Sequence, residues 1–232
     1  MLVPLKLILR AAKFDVINVY MNMTAPKRAY RQSARAVAAE ATAARILDAF
    51  TRQLHVRWYD EIRLEEIARD AEVTVQTVIR RFGGKEGVLA AAYRRLGEEI
   101  MLRREVAEGD ATGAVASIID DYEAVGDLVM RTLAQEDRFP AIREVTDGGR
   151  RMHRLWIEAA FRPWLDRLSA QERRRALDAL VVAGDIYVWK LIRRDMGRPV
   201  TEYRKVMETM FAAAIGLSPE RLFDNAVQGE GR

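Results

Sequence analysis

The sequence of 232 residues contains no cysteine, which excludes disulfides, thiolate nucleophiles, zinc-thiolate sites and iron–sulfur clusters together. It has two histidines, His55 and His153, far apart in the chain. A His-based metal site or catalytic triad has little to draw on. Acid pairs such as Glu65/Glu66, Glu98/Glu99 and Asp120/Asp121 are adjacent rather than convergent and sit among basic neighbours, the pattern of solvated helix faces. No catalytic residue, metal ligand or cofactor is expected. Long apolar runs are also missing. The most apolar stretch, 176–192, contains Asp178, Asp185 and Lys190, and Lys6, Arg10, Lys13 and Asp15 interrupt the first residues before an apolar signal core can form. No membrane partner is expected, and a cytoplasmic location is.

Charge of one sign is nearly balanced, with a formal net charge of +4, but it is unevenly placed. Residues 1–39 hold Lys6, Arg10, Lys13, Lys27, Arg28, Arg31 and Arg35 against Asp15 alone. Residues 1–33 read as a basic arm in which Lys27, Arg28 and Arg31 can track nucleic-acid phosphates, with Met21 or Met23 as an alternative start. A membrane-peripheral protein using this arm, or a helical enzyme, is the competing class; the sequence shows no convergent polar site for the latter.

From residue 34 onward, strong helix formers recur with apolar spacings of three and four, so the chain is expected to be all-α. Ile46, Leu47, Phe50 and Leu54 make one stripe; Val88, Leu89, Ala92, Tyr93, Leu96 and Ile100 make another. Gly- and Pro-containing breaks delimit about nine helices. A three-helix N-terminal domain at 34–104, with a fourth helix linking onward, a larger helical domain at 105–216 and a tail at 217–232 follow. The helix expected at 169–194 is apolar on nearly every side. Leu180, Gly184, Val188 and Leu191, with Tyr203, Met207, Met210 and Ala214 of the next helix, offer a stripe for a second copy.

The informative segment is Arg63–Glu86, RLEEIARDAEVTVQTVIRRFGGKE. Leu64, Ile67, Ala68 and Ala71 lie on a short helix, Glu72-Val73-Thr74 make a tight turn, and Thr74 can cap the helix that follows. On that helix Val75, Val78, Ile79 and Phe82 are expected to face inward. Gln76 and Arg80 then share the outward face at i, i+4, with Thr77 and Arg81 alongside. These side chains suit a major groove, since glutamine pairs with adenine, arginine with guanine, and threonine meets a thymine methyl or a phosphate. Lys85 begins the next helix, where a positive side chain adds to a phosphate-favouring N-terminus. A nucleotide-binding loop is excluded because Glu86, not serine or threonine, follows Lys85.

The ordered set Ile46-Leu47-Asp48-Ala49-Phe50, Ile67-Ala68-Arg69-Asp70-Ala71-Glu72-Val73, Thr77-Val78-Ile79-Arg80-Arg81-Phe82 and Phe82-Gly83-Gly84-Lys85-Glu86 resembles the DNA-binding domain of the tetracycline-repressor (TetR) family over about residues 41–93. The resemblance implies a homodimer reading a palindromic operator on double-stranded DNA, most often as a repressor, and a C-terminal domain whose small-molecule effector releases the DNA. An effector-independent DNA-binding factor is the alternative. Met130, His153, Trp156 and Tyr187 are the candidate effector contacts. The chain departs from the family pattern at Ile79, where tyrosine is usual, at Arg81, and at Glu72, where glycine is usual. The link His55–Ile62 is bulkier than the family's.

Overall fold

The computed structural model describes residues 31–223, with side chains from residue 36. Among them are eleven α-helices and no strand: α1 (Arg31–Val56), α2 (Leu64–Asp70), α3 (Val75–Phe82), α4 (Lys85–Arg103), α5 (Ala111–Leu133), α6 (Pro140–Ala160), α7 (Arg162–Leu165), α8 (Ala170–Ala183), α9 (Ile186–Trp189), α10 (Val200–Ala214) and α11 (Pro219–Phe223). The all-α expectation holds. The described residues form two compact units, one of residues 31–99 and 131–146, the other of 100–130 and 147–223.

In the first unit α1 buries Ile46, Ala49, Phe50 and Leu54, α2 buries Ile67 and Ala68, and α4 buries Val88 and Leu89. The link after α1 folds into a single 3-10 turn, Tyr59–Glu61. Its Trp58 amide donates to the Glu61 carboxylate at 2.9 Å. Tyr59 points inward, its ring edge-on to Phe50 and to Phe139, with centroids 6.5 and 5.4 Å away. Its amide donates to the buried Gln135 side chain at 2.8 Å. Residues 131–146, distant in sequence, therefore complete the core of this unit.

The second unit is centred on Trp156, Trp189, Tyr203, Phe161 and Phe211, all fully buried. Asp121 is buried among them and ion-paired to Arg103 at 2.6 Å and to Arg104. A buried charge is tolerated only when paired in this way. Glu123 accepts from the Trp189 indole at 2.7 Å and from both arms of Arg193. Residues Lys190–Asp195 form a π-helical turn, and across it the consecutive Arg193 and Arg194 reach Glu123 and Asp127 on α5.

The helix expected at 169–194 is divided. Gly184 caps α8, its carbonyl accepts from the Tyr122 hydroxyl at 2.9 Å, and Asp185 restarts the chain by accepting from the Tyr187 amide. The expected partner-facing stripe is also corrected. Leu180, Tyr203 and Met207 are completely buried in the chain's own core, and a Cβ at Gly184 would lie 3.2–3.3 Å from Phe211, His153 and Ile118. Leu191 of the expected stripe does face outward, as do Leu102, Leu155, Val182, Tyr187, Met196 and Val206 outside it.

Gly126 of α5 lets that helix approach Trp189 closely, since a Cβ there would stand 2.4 Å from the Trp189 ring. That ring is fully buried and hydrogen-bonded, so it cannot step aside. Gly126→Ala is expected to lower the unfolding free energy by about 1–3 kcal/mol. Urea denaturation followed by circular dichroism checks this; an unchanged midpoint would show that α5 and Trp189 are not in this contact.

Candidate nucleic-acid interface

The recognition element is α3, eight residues long and fixed at both ends. At its start the Thr74 hydroxyl accepts from the Thr77 amide at 3.2 Å and lies 2.9 Å from the Thr77 hydroxyl. At its end Gly83 is left-handed, φ 80°, and its amide donates to the Ile79 carbonyl at 2.7 Å. The turn between α2 and α3 is equally ordered. The Glu72 amide donates to Arg69 and the Val73 amide to Ala68, at 3.0 and 2.9 Å. This is the helix-ending pattern that ordinarily takes glycine in the left-handed position. Glu72 occupies that position with φ 54°, so the departure from glycine leaves the turn intact and stores strain in it. From α1, Arg45 donates to the Ala71 carbonyl at 3.1 Å and Gln53 to Asp70 at 2.7 Å, tying α2 to the long helix. Nothing local in the sequence marks Arg45 or Gln53 for this role.

On this frame Thr74, Gln76 and Arg80 are exposed, and Thr77 and Arg81 are half-buried. Gln76 and Arg80 stand one turn apart on the outer face, as their spacing predicts. Two side chains differ from expectation. Ile79, expected inside, is 41% exposed, whereas Val78 is fully buried; the two are about 100° apart round the helix, and Val78 is the one that faces the core. Lys85, expected to offer its charge to phosphate, is turned into the unit. Its ammonium donates to the Tyr59 and Ile62 carbonyls, both at 2.9 Å, and lies 4.3 Å over the Tyr59 ring. Burial lowers its pKa, against the pull of Asp60 and Glu86. The link supplies these acceptors from its main chain, and the Tyr59 side chain adds the aromatic face. Lys27 and Arg28 lie outside the described residues, and Arg31 opens α1.

In the second unit His153 and Trp156 meet at Arg104. The Trp156 indole donates to the Arg104 carbonyl at 2.8 Å, and the Arg104 guanidinium lies 3.3 Å from His153 Nδ1 and 5.2 Å from the Trp156 ring centre. The Tyr203 hydroxyl is buried without a hydrogen-bond partner among the described residues. Met130 is half-buried on α5, and Tyr187 is exposed. The four candidate effector contacts thus divide into one pair sharing Arg104, one α5 side chain and one outward ring. An open concavity of about 270 Å³ lined by Trp164, Arg167, Leu168, Ile215, Leu217 and Arg221 includes none of them.

Two expectations follow from these environments. Glu72→Gly removes the left-handed penalty and should raise stability by about 0.5–1 kcal/mol; a fall in melting temperature would show that the Glu72 side chain is itself holding the turn. His153 has its pKa lowered from 6.5 to about 4, by burial first and by Arg104 second. It is neutral when folded and takes up a proton on unfolding below pH 6.5, so its contribution is present above that pH and lost as the pH falls towards 4. Between pH 7 and 5 the loss should reach about 2 kcal/mol. His153→Gln should flatten the denaturation-midpoint curve over this interval, and an unaltered slope would contradict the buried neutral ring.

Residues 46–92 match the bacterial regulatory proteins of the tetR family. No curated protein matches the chain in sequence. Among solved structures, the fold is similar to that of a protein described as a transcriptional regulator from Pseudomonas aeruginosa PAO1, with a TM-score of 0.61 and 13% identity over 78% of this chain and 93% of that one. It is also similar to a TetR-family regulator from Rhodococcus sp., with a TM-score of 0.57 and 14% identity over 75% and 98%. A transcriptional regulator from Rhodococcus sp. Rha1 gives 0.57 and 16% over 77% and 96%. The matched residues hold the capped α2–α3 pair and parts of the bracing helices α1 and α4, and over this segment the chain is similar to the tetR family of bacterial regulatory proteins.

Proposed function

We propose that this chain is a transcriptional regulator of the TetR family, a cytoplasmic repressor that binds a palindromic operator as a homodimer and is released by a small-molecule effector. The observation that carries the reading is α3: a short helix capped at both ends that presents Gln76 and Arg80 outward, with Arg81 at their flank. Glutamine and arginine offer the bidentate pairings that distinguish adenine and guanine in a major groove. Thr74 and Thr77, engaged with each other, are suited to phosphate contact, and Lys27, Arg28 and Arg31 add sequence-independent attraction. Lys85 acts indirectly, by fixing the start of α4.

Dimerisation is assigned to the region 105–216, through the outward side chains Val182, Leu191 and Val206. The effector is assigned to the interior around Arg104, His153 and Trp156. Support for this comes from the unpartnered Tyr203 hydroxyl, a buried polar group that a ligand could satisfy.

Selection of duplexes from a random pool tests the reading. The expected product is an inverted repeat with half-site centres about 34–36 Å apart, or a multiple of that. Gln76→Ala and Arg80→Ala should each relax preference at one position per half-site, by about 1–3 kcal/mol. Unchanged preference in both variants, or a site without inverted symmetry, would overturn the placement of α3 and the two-fold reading respectively.

A further inference from the structure

The Ile79 side chain is only partly covered by the fold. It is 41% exposed on a helix whose neighbouring apolar residue, Val78, fills the space beneath. Its position in the helix places it about one turn from Gln76, flanking the outer face on the side of Gln76 away from Arg80. Isoleucine is a poorer helix former than the straight-chain residues that ordinarily occupy an exposed helical site, so local stability does not account for it. Its backbone is held: the Gly83 amide donates to the Ile79 carbonyl at 2.7 Å, and Thr74 caps the other end of the helix. The side chain is therefore presented in a fixed place, and burying it against a partner requires no reordering of the helix. The other candidate for an apolar contact, Thr77, is half-buried and has its hydroxyl turned to Thr74.

The edges of base pairs in the major groove carry hydrogen-bonding groups and, as their apolar feature, the C5-methyl of thymine. We infer that Ile79 is a specificity-determining residue that reads a thymine methyl, beside the base contacted by Gln76. The inference rests on the DNA-binding reading above. It assigns sequence information to a residue with no polar atom in its side chain.

The probe is deoxyuridine, which keeps every hydrogen-bonding group of thymidine and lacks only the methyl. With the full chain and the duplex enriched from the random pool, each thymine is replaced by deoxyuridine in turn and affinity is measured by titration. One thymine per half-site is expected to lose about fourfold in affinity on replacement, the effect of uncovering one methyl group. In Ile79→Ala, whose fold is checked by circular dichroism, the same replacement should have no effect. Insensitivity of the unaltered protein at every thymine, or equal sensitivity in Ile79→Ala, would overturn the inference while leaving DNA binding intact. Failure to enrich any duplex would overturn the DNA-binding reading and this inference with it.

Discussion

An eight-residue helix does not hold itself together in water, because the cost of nucleation is recovered only over a longer run of hydrogen bonds. Everything that α3 can do therefore depends on what braces Val75–Phe82. Thr74 satisfies an amide at one end and Gly83 takes the left-handed conformation at the other. Beneath it Val78 is anchored in the core made by α1, α2 and α4. The frame continues through Arg45 and Gln53, which bind the end of α2 to α1, and through Lys85, which closes the link 57–62 onto the start of α4. A regular outer face, carrying Gln76 and Arg80, is the result of this bracing.

The left-handed Glu72 and the inward Lys85 show the same economy from opposite sides. Strain is accepted at Glu72 because both turn hydrogen bonds survive there. A cation is accepted in a half-buried position because two carbonyls and an aromatic face surround it. The second unit makes a comparable arrangement around Asp121. Its charge is matched by Arg103 and Arg104; burial first and Arg104 second keep His153 neutral, and the Arg104 carbonyl receives the Trp156 indole. A polar cluster of this kind is specific in geometry, since each member has a partner that the others position.

The sequence by itself determined the helical class, the two-helix motif and its punctuation. Periodicity near 3.6 marks amphipathic helices wherever strong helix formers predominate, and capping is a local chemical event: Thr74 before α3 and Gly83 after it are legible from a few residues. Gln76 and Arg80 were legible for the same reason, as polar residues one turn apart on a helix whose inner face was assigned to Val75, Val78, Ile79 and Phe82. Tertiary structure alone decided which apolar residues have a neighbour. Ile79 shares the apolar character of Val78 yet faces out, whereas Leu180, Gly184, Tyr203 and Met207 face the chain's own core rather than another subunit. Lys85 turned inward because acceptors from residues 59 and 62 converge on it, and Gln135 met Tyr59 across a separation of 76 residues. Spacing specifies which residues share a face of a helix; what lies against that face is fixed only when distant segments pack, and no local pattern encodes it.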